Sequence, residues 1–297
     1  MGSTIRQHRY QVPVTTRSTD VSQMEACPGK FFLTLFNEKE QANASFFGLG
    51  SALHESIERG ILEDMSLPDM IDDVSMRCTD FLIGAKLNGK RMIETTRRDT
   101  GTILEDAERM IINWYNHVHP NGEDRHPVYD EYQWPPLVEQ TFERTAESAG
   151  TQYPVWGSVD AVFTLKEYTE EHMIVDWKSG TQKQRSDFQL HFYRFGMGLG
   201  DTPAHFHNLD RVRKNAIVQQ GEAYPGDRAI TALIRGTERI KLAVIKGDAP
   251  EFIPSFLCNY CPVQDFCPAD GNPRNHRANR HSLKTMLCLA VPLEIVL

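Results

Sequence analysis

The spacing of apolar positions changes twice along the chain. Between Ser45 and about His119 they recur every three or four residues, in three stripes. These are Leu49, Leu53, Ile57 and Ile61, then Ile71, Val74, Cys78, Phe81 and Ala85, then Ile103, Ala107, Met110, Trp114 and Val118. That period predicts three amphipathic helices. Upstream, a polar, Thr/Ser-rich arm (1–21) leads into Ser22–Asn37, where Phe31, Phe32, Leu33, Leu35 and Phe36 crowd beside Cys27. In the middle, Leu137–Arg144, Val155–Leu165 and Met173–Lys178 are short, rich in β-branched and aromatic residues, and divided by polar stretches. They predict three neighbouring strands of a mostly antiparallel meander. After Gly180 helical spacing returns with Phe188, Phe192 and Phe195, and again from Asp227 to Lys246. The predicted architecture is α/β, a mixed sheet flanked by helices, with an N-terminal helical insertion and a C-terminal cysteine-bearing segment. No linker or repeat divides the chain, so residues 22–270 are expected to form one domain, followed by a basic and then apolar tail (271–297).

Composition removes several classes of function. Of 297 residues 40% are apolar and 24% charged, ample for a packed core. No uncharged apolar run approaches the roughly 18 residues of a membrane span, and the opening MGSTIRQHRY has no signal core. A cytoplasmic protein without a membrane partner is expected. Forty acidic against 32 basic residues give a net charge of −8, which excludes a polycation that coats nucleic acid through bulk charge but leaves room for a local basic groove. The chain has no Gly-x-x-x-x-Gly-Lys-Ser/Thr loop, so any motor would be a separate protein. Six cysteines without a secretory signal point to thiols that bind metal or pack.

The chemically informative segment is Gly157-Ser-Val-Asp160, followed 16 positions after Asp160 by Asp176-Trp177-Lys178. Side chains alternate along a strand, so Asp176 and Lys178 share one face and Trp177 takes the other. Met173, Ile174 and Val175 precede the aspartate, which places a charge at the edge of the core, where it is costly unless paired or bound to metal. A hairpin would bring Asp160 beside Asp176, and a hard divalent cation such as Mg²⁺ or Mn²⁺ would relieve their repulsion. An isolated Asp-x-Lys is more often a surface ion pair, His54 alone reads as an ordinary helical histidine, and Gln189 with Tyr193, four apart, shares a helical face. Lys183, Arg185 and Arg194 are candidate cations for a nucleic-acid strand, a solvated face being the alternative.

Taken in order, His54, Asp160, Asp176 with Lys178, and Gln189 with Tyr193 resemble the RecB-like branch of the PD-(D/E)XK nuclease superfamily, over roughly Ser22 to Pro268. The resemblance implies the restriction-endonuclease-like core and a metal-dependent DNA exonuclease. It further implies Mg²⁺ or Mn²⁺ held by His54, Asp160, Asp176 and the main-chain carbonyl of Trp177. Lys178 would position or activate the attacking water, and Gln189 and Tyr193 would line the pocket and meet the DNA. Cys258-x-x-Cys261-x₅-Cys267, flanked by Pro254, Pro262 and Pro268, suits zinc and iron–sulfur equally by spacing. A lone upstream cysteine with this trio resembles the iron staple of AddB-type and CRISPR-associated RecB-like exonucleases, which implies a [4Fe–4S] cluster on Cys27, Cys258, Cys261 and Cys267. Cys78 and Cys288, in apolar surroundings, are assigned to packing. DNA ends or single strands are the expected substrate, with a helicase or a recombination, CRISPR or phage-replication partner, or a second copy of the chain, as associates. The rival functions are a catalytically weak DNA-binding or assembly protein of the same fold, and a zinc-stabilised structural protein.

Overall fold

The computed structural model describes residues 21, 23–24, 26–36, 45–87, 100–179, 187–200, 202–209, 217–220, 227–246, 250–254, 258, 261, 263 and 267. Most of the N-terminal arm, Lys183, Arg185, Cys288 and the tail lie outside them. The helices are α1 (Pro28–Phe36), α2 (Ser45–Leu62), α3 (Leu67–Leu87), α4 (Thr100–Val118), α5 (Phe188–Met197) and α6 (Asp227–Ile245). The strands are β1 (Leu137–Ser148), β2 (Thr151–Thr164), β3 (His172–Ser179), β4 (Ala204–Leu209) and β5 (Ile217–Gln220), joined in one sheet of order β1-β2-β3-β4-β5. The α/β class and the helix-flanked mixed sheet match the expectation. None of the described helices is long and apolar enough to cross a membrane.

The three stripes form α2, α3 and α4, and Leu53, Ile57, Val74, Cys78, Ala107 and Trp114 are buried in one core with Ala161, Phe163, Val175 and Trp177 of the sheet. Cys78 is buried as expected, and burial pushes its thiol up to about 11, which keeps it protonated. The buried carboxylate of Asp73 on α3 accepts from Ser56 Oγ (2.8 Å), Arg59 Nη1 (2.7 Å) and Arg77 Nε (2.7 Å). With its charge and lone pairs satisfied, it ties α3 to α2 and fixes the helix that carries His54. At Gly60 of α2 the end of the Met70 side chain of α3 fills the space that a Cβ would take.

The strands depart from the predicted meander in extent and in number. β1 and β2 both run further towards their shared turn, where Ala149 and Gly150 (φ 50° and 78°) form the two-residue connection of a hairpin. β2 and β3 pair antiparallel, with Ala161 opposite Val175, as expected. Two further strands follow that the pattern did not predict. β4 pairs parallel to β3 (Asp176 opposite Phe206, Trp177 opposite His207), so α5 is a crossover helix, and β5 closes the edge antiparallel to β4. All six residues of β4 are buried, so it lacks the alternation that marks a half-exposed strand.

The chain divides into two compact units, Ala42–Phe142 with Ser158–Gly226, and Met1–Gln41 with Glu143–Gly157 and Asp227–Leu297. The first holds α2–α5 and β3–β5. The second holds α1 and α6, which pack on each other.

Candidate active site

β3 delivers the Asp-x-Lys pair to one face of the sheet as the alternation required. Lys178 Nζ lies 2.5 Å from Asp176 Oδ2, donates to Gln189 Oε1 (2.9 Å) on α5, and sits 5.5 Å from the centroid of the Phe206 ring on β4. Gln189 Nε2 in turn donates to the Tyr193 hydroxyl (2.5 Å), so the four-residue spacing on α5 becomes a chain of polar contacts ending at the lysine. Asp176 is almost wholly buried (1% exposed), whereas Lys178 keeps 23% of its side chain open to solvent. α5 reaches this position because Gly196 sits against the Phe142 ring of β1, where a Cβ would overlap the ring carbons. Phe142 also packs on Phe192 and Tyr193.

Asp160 stands beside this group on β2. Its Oδ2 accepts from the main-chain N–H of Trp177 (2.7 Å), and its Oδ1 lies 3.4 Å from His54 Nδ1 on α2. A residue that the sequence did not single out joins them. Glu139 on β1 has a backbone φ of 46°, in the left-handed region that side-chain-bearing residues seldom adopt, and its Oε2 accepts from Ser158 Oγ (2.7 Å). Ligand atoms of His54, Glu139 and Asp160 all lie within 4.8 Å of one another. Two donors at about 2.0–2.3 Å from one cation stand at most roughly 4.6 Å apart, so this nitrogen-and-carboxylate set fits a divalent metal with small adjustments. No spacing or pattern in β1 distinguishes Glu139 from Glu143 and Glu147, and only the folded chain separates it.

The electrostatics follow from crowding like charges near the core. Burial pushes Asp176 above the usual carboxylate range; Lys178 opposes this and Asp160 adds to it. Glu139 is raised by burial and by Asp160 and Glu58, with Ser158 opposing. Burial works against a charge on His54, yet Asp160 and Asp176 outweigh it and lift the imidazole to about 9. Burial and the two aspartates hold the Tyr193 phenol well above its ordinary value, so it stays a neutral donor.

A family model described as the PD-(D/E)XK nuclease superfamily matches residues 18–268. The chain belongs to the PD-(D/E)XK nuclease superfamily. Its members are metal-dependent nucleases, in keeping with the His/Glu/Asp set and the helix-flanked mixed sheet. No curated protein matches the chain. Among solved structures it is similar to the crystal structure of SSO0001, at 15% identity and a TM-score of 0.33, over 45% of this chain and 60% of that one.

Six of the expected nuclease positions, His54, Asp160, Asp176, Lys178, Gln189 and Tyr193, are brought into one neighbourhood. Arg194 is not part of it. Its guanidinium is buried, donates from Nε to Thr202 O (2.7 Å) and reaches His191 Nδ1 (3.4 Å), so this candidate DNA-facing cation serves the core instead. The cysteines belong to the other unit. Cys27 Sγ accepts from Ile253 N–H (3.4 Å), and Cys261 N–H donates to Cys258 O (3.2 Å). Burial raises the Cys261 thiol, and a main-chain hydrogen bond from Val263 and the charge of Lys30 oppose the shift. Cys267 is partly buried.

Proposed function

We propose that this nuclease is a DNA exonuclease of the RecB-like branch, acting at ends or on single strands, with a structural [4Fe–4S] cluster on Cys27, Cys258, Cys261 and Cys267. The observation that carries the reading is Lys178, held between Asp176 Oδ2 and Gln189 Oε1 on the strand next to Asp160. His54, Asp160, Asp176 and the carbonyl of Trp177 are the ligands in this reading. Trp177 directs its N–H at Asp160, and a residue's N–H and C=O point to the same neighbour in an extended strand. A bound Mg²⁺ or Mn²⁺ supplies Lewis-acid polarisation of the phosphodiester and a counter-charge for the transition state. Lys178, partly open to solvent beside a buried carboxylate, orients the attacking water and adds positive charge where the phosphorane forms. Gln189 fixes the lysine, and Tyr193 offers a neutral hydroxyl to the strand.

The cluster is supported by the contact between Cys27 Sγ and the Ile253 N–H (3.4 Å), which brings Cys27 to a segment 226 residues along the chain, five residues before Cys258. In this reading residues 22–270 act as one nuclease domain closed by the cluster, and the protein works in the cytoplasm beside a helicase or a recombination, CRISPR or phage-replication partner. End-labelled single- and double-stranded DNA, incubated with Mg²⁺, Mn²⁺ or EDTA, should be shortened from its ends only with metal. Internal cuts alone, or degradation that EDTA does not stop, would refute the exonuclease. Iron and sulfide assays on anaerobically purified protein should fall to background in Cys27→Ser, and zinc without iron would refute the cluster.

A further inference from the structure

We propose that Glu139 is a ligand of the active-site cation, a donor contributed by β1 and absent from the set that the motif resemblance supplies. The inference rests on the metal-dependent nuclease reading of the same site and deepens it. Three observations converge. The ligand atoms of Glu139, His54 and Asp160 lie within 4.8 Å of one another, which brings three donors from three separate elements to the span of a single ion. Each of the two carboxylates has one oxygen engaged from outside the group, Glu139 Oε2 by Ser158 Oγ (2.7 Å) and Asp160 Oδ2 by the Trp177 N–H (2.7 Å). Such outer hydrogen bonds hold ligating carboxylates in metal sites, and for Asp160 the second oxygen, Oδ1, is the one 3.4 Å from His54 Nδ1. Asp176, with Oδ2 2.5 Å from Lys178 Nζ, stands next to this trio without belonging to it. Glu139 thus adds a donor from β1 to those that α2, β2 and β3 bring.

One imidazole nitrogen with carboxylate oxygens suits Mn²⁺ as well as Mg²⁺, and Mn²⁺ binds nitrogen donors more readily. Mn²⁺ is therefore the probe. Calorimetric titration of Mn²⁺ into the DNA-free, full-length protein should show at least about tenfold weaker binding for Glu139→Gln than for wild type, on the scale that metal-site substitutions produce. Glu143→Gln, an exposed carboxylate further along the same strand, should bind as wild type does. Equal melting temperatures in EDTA would establish that the loss is of a ligand and not of the fold. Where Glu139→Gln does not fold, Ser158→Ala, which only releases Oε2, should weaken Mn²⁺ binding several-fold. Wild-type affinity in folded Glu139→Gln, or in Ser158→Ala where that variant is needed, overturns the ligand assignment while leaving metal-dependent cleavage by the wild type in place. A wild-type protein that takes up no Mn²⁺ and cleaves no DNA overturns both.

Discussion

Adjacent residues of β3 enter opposite environments. Asp176 and Lys178 face a cluster of charges and amides. Trp177, between them, packs edge-on against Trp114 (ring centroids 6.0 Å apart) and against His207 (5.5 Å). On the Trp177 face burial has removed charge: it drives His207 down to about 3 and His205 to about 4, so both imidazoles are neutral, and Tyr129 hydrogen-bonds His207 Nδ1 at 2.6 Å. On the Asp176 face the same burial acts on the carboxyl, yet charge persists because Lys178 meets it. Burial therefore does not by itself decide whether a group stays ionised; a partner within hydrogen-bond reach does. The charged face serves chemistry at some cost in stability, and the neutral face serves stability alone.

The variant expected to separate the two faces furthest is Asp176→Asn. Cleavage of end-labelled DNA should drop roughly 10³-fold, since losing a metal ligand removes several kcal/mol of transition-state stabilisation. The urea midpoint should hold or rise, because an amide is cheaper to bury than a carboxylate. Near-wild-type cleavage by the folded variant would sink the assignment. Trp114→Ala probes the other face, and removing a fully buried indole should cost about 3–5 kcal/mol in urea unfolding. The rate per folded molecule should stay close to wild type. A large loss of activity with unchanged stability would mean that the two faces are not separable. The smallest effect is a pH dependence. His205 and His207 titrate near 6.5 when unfolded and near 4 and 3 when folded, so their contribution is complete above pH 6.5. It is lost as acid protonates the unfolded chain, at up to about 1.4 kcal/mol per pH unit for each. Urea midpoints between pH 7 and 5 should fall in the wild type and fall less in His207→Gln, and equal slopes would show that His207 is not the source.

The charged face was more legible in the sequence than its surroundings, for a physical reason. Strand alternation alone places Asp176 and Lys178 together and Trp177 opposite, and a helical period alone pairs Gln189 with Tyr193. The stripes of α2, α3 and α4 were legible because each helix buries one side. β4 was not, since a strand buried on both faces carries no period and its His205, His207 and Asn208 look like a polar loop. Arg194 was misleading because a charge among phenylalanines reads as exposed, while a carbonyl from a later turn, Thr202 O, is what permits its burial. Glu139 was invisible because its place depends on a kink in φ and on Ser158, neither of which leaves a mark in composition.

β3, α5 and β4 form a single strand–helix–strand passage from His172 to Leu209, and Asp176, Lys178, Gln189 and Tyr193 all lie within it. Their encounter closes only short loops, which is fast and modest in entropy. His54 lies more than a hundred positions upstream of Asp176, on a helix that leaves the ribosome before any strand of the sheet has been made. Synthesis runs from the N-terminus, so the histidine must wait for β1 and β2 to be made, while the lysine cluster draws on residues close together in the chain. The candidate site of such a chain is complete only once α2 docks on strands made many residues later. The order of translation thus separates the making of the helix that carries His54 from the completion of the site.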